Sequence, residues 1–174
     1  KDGADLVGGC TYTDPDPAAH VARIFDLAEE FGTDADFHTD FDLNPAGAHL
    51  PLILAETLKR GFQGRVACGH VTKLAAMPPE TVDAVARQLV EAGVGVIALP
   101  ATDLFLLGRD VTHLVPRGPA PLMRLREAGA PVAVATNNIL NPFTPYGDGN
   151  LMRIANLFAN VAQLSRDADL AAAF

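Results

Sequence analysis

The chain has 174 residues, of which 49% are hydrophobic and 20% charged, and a formal net charge of −8. That length suits one domain with a substantial core, and the composition excludes a disordered chain. The acidic balance argues against nucleic acid or an anionic membrane as partner; a small-molecule substrate is the expected one, and a homo-oligomer is left open.

Ala4 to Cys10 reads as a short apolar strand whose paired glycines, Gly8 and Gly9, serve either close approach of a ligand or tight packing. Asp16 is placed to cap a helix with Pro17 at its first position, carrying Val21, Ile24, Phe25, Leu27 and Ala28 as its apolar stripe and stopped by Gly32. His20, near the start of that helix, reads as a surface residue. A second strand, Ala35 to Asp40, leads through Asn44-Pro45 to a helix bearing Leu50, Ile53, Leu54 and Leu58 and closed by Lys59, Arg60 and Gly61. A third strand runs from Arg65 to His70. The helix from Thr81 ends at Gly93, and a fourth strand, Val94 to Leu99, is followed by Pro100 and a loop reaching Arg109. A short helix, Ala120 to Ala128, precedes a fifth strand at Pro131 to Ala135, and a last helix runs from about Asn150 to Leu164.

Strands alternating with helices at this spacing predict right-handed βαβ crossovers and a parallel sheet, in either a doubly wound arrangement or part of a β/α barrel. Neither GxGxxG nor GxxxxGK[ST] occurs, so nucleotide binding has no motif support. Cys10 and Cys68 lie in strand-like segments, which suits reduced thiols in a cytoplasmic protein. No run approaches the roughly 18 apolar residues of a membrane span, and no basic start precedes an apolar signal core.

In parallel α/β architectures the active groups sit just past the carboxyl ends of the strands. Two strands here end in a histidine, His38 and His70, and a third runs out into Thr136, Asn137, Asn138 and Asn141. Those three strand ends form one candidate site. Imidazole suits a divalent metal, which makes His38 a candidate ligand. Asn138 offers two donors and an acceptor to a polar substrate edge or else satisfies its own loop. Phe143 and Tyr146 either stack on a flat ring or close the loop against the sheet. Asp40 and Asp42, near His38, serve either as an acid or substrate contact or as loop groups that support the site.

Five blocks carry a resemblance: His38-Thr-Asp-Phe-Asp-Leu-Asn-Pro45, Gly69-His-Val-Thr-Lys-Leu74, Leu99 to Arg109, Arg117-Gly-Pro-Ala-Pro121, and Asn137 to Gly147. In this order and spacing the chain resembles the cytosine deaminase branch of the amidohydrolase superfamily, over nearly its whole length. The resemblance implies a TIM-type (β/α)8 barrel of which residues 1–174 form a single partial domain, roughly the fourth to the eighth strand. A start at Lys1, inside what reads as a βα unit, agrees with a piece of something longer. It also implies hydrolysis of a C–N bond in a small cyclic amide or amidine by metal-activated water, with zinc or iron as the expected metal and His38 as a ligand. His70 and Asn137 take the catalytic positions, and Asn138, Phe143 and Asp40 the substrate-binding ones. Two positions depart from the family pattern. Phe41 stands where a proton-shuttling glutamate is usual, and Asn137 stands where a metal-binding aspartate is usual. Both departures favour the alternative reading, a diverged and catalytically impaired homologue that binds a small molecule without hydrolysis.

Overall fold

In the computed structural model, which describes residues 3–173, five parallel strands pair in sequence order: β1 (Leu6–Cys10), β2 (Asp34–Thr39), β3 (Val66–His70), β4 (Val94–Ala98) and β5 (Val132–Val134). The ends of the expected 1–174 domain thus fall outside the described residues. Between the strands run α1 (Pro17–Phe31), α2 (Leu50–Arg60), α3 (Pro79–Ala92), α4 (Pro100–Leu106) and α5 (Leu122–Glu127); α6 (Leu151–Val161) and α7 (Asp167–Ala173) follow the last strand.

The helix ends are set by local chemistry. Asp16 accepts from the Ala19 amide at 3.0 Å to open α1, and Gly32, Gly61 and Gly93 close α1, α2 and α3 in the left-handed conformation. The segment after Pro100 is a helix rather than the loop expected there. Pro100 sits at its first turn, and the Asp103 carboxylate folds back to accept the Leu99 amide at 3.2 Å. That short cap leaves no long apolar stripe for a periodicity argument to find.

Alternation along the strands divides the sheet into two faces. Ala35, Phe37, Val66, Cys68, Val94, Val96 and Ala98 are buried beneath the helices in one core with Phe25, Ile53, Leu89 and Leu125. Asp36 and His38 lie on the opposite, partly open face. Val96 is fully buried under the helix layer, and Val134 packs against the same core. Ala133 is the exposed member of β5. By register the open face carries Ala67, Ile97 and Ala133 beside Asp36 and His38. The unpaired edges of β1 and β5 still present free strand backbone. We expect the 174-residue chain on its own to associate through them. A concentration-independent monomer in sedimentation velocity runs would overturn this.

The paired glycines of β1 serve tight packing. A methyl at Gly9 would collide with the His20 ring, and one at Gly8 with the Asp36 carbonyl. His20 is accordingly not a free surface residue. Its Nδ1 lies 2.9 Å from Asp14 Oδ2, its Nε2 is buried without a partner, and the neighbouring Asp14 carboxyl is held below the usual carboxylate range, first by the Asp16 amide and then by His20.

Candidate active site

Left-handed backbone at non-glycine residues gathers where the strands stop: Asp40 (φ 54°) after β2, His70 (φ 72°) and Val71 (φ 50°) at the end of β3, and Asn137 (φ 60°) after β5. For a β-branched residue such as Val71 this conformation is strained, and strain of this kind concentrates at functional sites. These turns bring the side chains of three strand ends together.

His70 is the centre of the cluster. Its Nδ1 lies 2.7 Å from Asp103 Oδ1, and both side chains are buried, with exposures of 2% and 0%. Asp103 Oδ2 already accepts the Leu99 amide, so the carboxylate acts as acceptor and Nδ1 carries the proton. Burial pushes the Asp103 carboxyl up, and the hydrogen bond from His70 opposes the rise. With Nδ1 committed, Nε2 presents a lone pair towards Asn137 Nδ2, 3.5 Å away. The Asn137 amide also donates to Thr102 Oγ1 at 3.2 Å, and the Thr102 and Thr144 hydroxyls are hydrogen-bonded at 2.5 Å. Asn137 is thus oriented by two acceptors, which leaves its carbonyl oxygen turned away from them.

His38 packs edge-on to His70, with ring centroids 4.9 Å apart. Burial lowers the pKa of His38, and the neighbouring His70 adds to the shift. Phe41 covers the other side of His70 at 4.3 Å, and Tyr12, in the short turn after β1, touches both rings at 5.7 and 6.4 Å.

The other candidates lie further from this centre. The Asp40 carboxylate is turned to the start of α2, where it accepts the His49 amide at 2.7 Å and the Leu50 amide at 3.2 Å. That use, rather than contact with substrate, accounts for its burial, and burial raises its pKa against those two bonds. Replacing Asp40 with alanine is expected to destabilise the fold by about 1–2 kcal/mol, as loss of a helix cap does, measurable as a lowered urea midpoint at unchanged slope. Asp42 forms an ion pair with Lys73 at 2.7 Å. Asn138 accepts from Asn141 within its own loop, Phe143 is exposed, and Tyr146 turns to Phe105 at 6.3 Å beside a cleft of about 510 Å³ between α4 and α6. The structure therefore joins His38, His70 and Asn137 but does not join Phe143 to them.

Asp103, Thr102 and Tyr12 were not singled out from sequence. Asp103 and Thr102 sit inside one of the resembling blocks, Leu99 to Arg109, where the polar pair Thr102-Asp103 in an apolar segment was the available signal.

No group of three or more His, Cys, Asp or Glu side chains suited to a metal ion occurs among the described residues. His38 offers one imidazole and Asn137 one neutral amide oxygen. A catalytic zinc takes three protein ligands, so the described residues alone do not make up a metal site.

A parallel β/α sheet with polar groups gathered at the carboxyl ends of its strands is the arrangement in which β/α barrels carry their active sites. Comparison with known proteins specifies the family. The model of the Amidohydrolase family matches residues 5–174, and the chain belongs to that family. The chain is 31% identical over 173 residues to a pterin deaminase of Rhizobium rhizogenes, covering 99% of this chain and 40% of that protein. It superposes on the crystal structure of 5-methylcytosine deaminase from Klebsiella pneumoniae liganded with 5-fluorocytosine with a TM-score of 0.89 at 26% identity, covering 96% of this chain and 41% of that one. An adenosine deaminase from Xanthomonas campestris, solved with bound zinc, shares the fold at a TM-score of 0.61 and 18% identity, over 89% of this chain and 31% of its own. The chain thus spans about two fifths of the length of the two more similar proteins. Among the described residues no helix is long and apolar enough to cross a membrane.

Proposed function

We propose that the protein containing this chain hydrolyses the exocyclic C–N bond of a small, flat nitrogen heterocycle, releasing ammonia. The observation that carries this reading is the buried His70–Asp103 pair at the strand ends, whose Nε2 accepts from the Asn137 amide. In the reaction His70 Nε2 takes a proton from the attacking water and passes it to the departing amine, which leaves as ammonia, while Asp103 stabilises the imidazolium in between. Asn137 and Thr102 hold the acceptor side of this arrangement in place, and Phe41 supplies a flat apolar wall against which a ring can lie. A divalent metal, zinc or iron, would lower the pKa of the water. In the longer protein His38 is the residue of this chain suited to ligate it.

The pterin and 5-methylcytosine deaminases among the similar proteins support the substrate class. The test is ammonia release by the full-length protein from pterin, cytosine and 5-methylcytosine, with metal content measured on the same sample. A protein that binds these rings yet releases no ammonia would replace this reading with the second one, a binding homologue. Asn137 favours that second reading, since a neutral amide in this place cannot act as a base.

A further inference from the structure

Adding water to a ring carbon pushes negative charge onto the ring nitrogen and into any carbonyl conjugated with it, so a site of this kind gains from a hydrogen-bond donor aimed at that edge. Most donors at the mouth are committed. His70 Nδ1 faces Asp103, Asn137 Nδ2 lies between His70 and Thr102, and the hydroxyls of Thr102 and Thr144 face each other. Phe41 has no proton to offer. The Tyr12 phenol is differently placed. Its ring lies tilted against Phe41 and meets the edge of His70, beside the reacting imidazole.

Resting on the deaminase reading above, we propose that Tyr12 contacts the substrate, its phenol O–H donating a hydrogen bond to the ring carbonyl oxygen of the heterocycle held against Phe41. Burial, helped by Cys10, pushes the phenol pKa up to about 12, so the group keeps its proton and remains a donor throughout the working pH range. The half-buried ring, fixed by two aromatic contacts, delivers that donor with little loss of side-chain freedom.

The test compares wild-type and Tyr12→Phe full-length protein on two probes, cytosine and 4-aminopyrimidine, which lacks the ring carbonyl. Turnover is measured by ammonia release and affinity by calorimetry. Tyr12→Phe should lower kcat on cytosine by about 10²–10³-fold, the range for loss of one oxyanion donor, and weaken cytosine binding by about threefold to tenfold. Both penalties should be absent with 4-aminopyrimidine, and the melting temperature should be unchanged. Equal penalties on the two probes would mean a structural role and overturn the proposal, as would no penalty on either. If the wild type binds cytosine without releasing ammonia, the deaminase reading fails and the affinity comparison alone decides for or against Tyr12. If it binds neither probe, both readings fall.

Discussion

Replacing Asp103 with asparagine in the full-length protein is expected to reduce turnover by about 10²–10⁴-fold, the range for losing effective acid–base catalysis. The substitution preserves shape, so the effect comes from the proton arrangement. Asp103 accepts from two donors at once, His70 Nδ1 at 2.7 Å and the Leu99 amide at 3.2 Å. An amide can accept on one side only and must turn its NH2 towards the other donor. Either His70 changes tautomer, putting a proton on the nitrogen that faces Asn137, or the first turn of α4 loses its cap. In the first case Nε2 no longer has a lone pair for the water. In the second a buried donor is left unsatisfied at a cost of about 1–3 kcal/mol. Measuring kcat, KM and the urea midpoint on the same preparations separates the two. A variant that retains turnover within about threefold of wild type would show that His70 is not the working base, well outside the loss expected for one.

The double substitution Phe41→Glu with Asn137→Asp is expected to act in the opposite direction. Phe41 lies 4.3 Å from the His70 ring and Asn137 Nδ2 3.5 Å from its Nε2, so both changes place a carboxylate beside the same imidazole. An aspartate at 137 adds a charged oxygen where the chain now offers a neutral one, and a glutamate at 41 adds a group able to carry a proton to the ring. Gaining each function is expected to raise cytosine turnover by about 10²–10⁴-fold and to raise zinc content in the full-length protein. The cost is loss of the Phe41 contact with Tyr12 and some stability in the mouth. If the unmodified protein already turns over cytosine with full metal occupancy, positions 41 and 137 do not limit it, and this account of them is wrong.

Much of the architecture was legible because helix ends and strand runs depend on neighbouring residues. Asp16, Pro17 and Gly32 mark α1 by capping, first-turn and left-handed preferences that act over a few residues. The same holds for Gly61 and Gly93. The candidate site was legible to the extent that His38, His70 and Asn137 each fall at a strand end, since parallel strands deliver their carboxyl ends to one side of the sheet.

By itself, then, the sequence determined the order of the five strands and of helices α1, α2, α3, α5 and α6, the parallel sheet they form, and the gathering of two histidines and an asparagine at one end of it. Only the tertiary structure decided that His70 takes Asp103 as its partner 33 residues away, that Tyr12 and Phe41 close around its ring, that Asp40 is spent on α2, and that Val96 faces the helices. The physical reason is one of range. Periodicity tells which residues share a face, but which face the helices cover, and which distant polar groups meet, depend on strand register and on backbone turns such as those at His70 and Asn137.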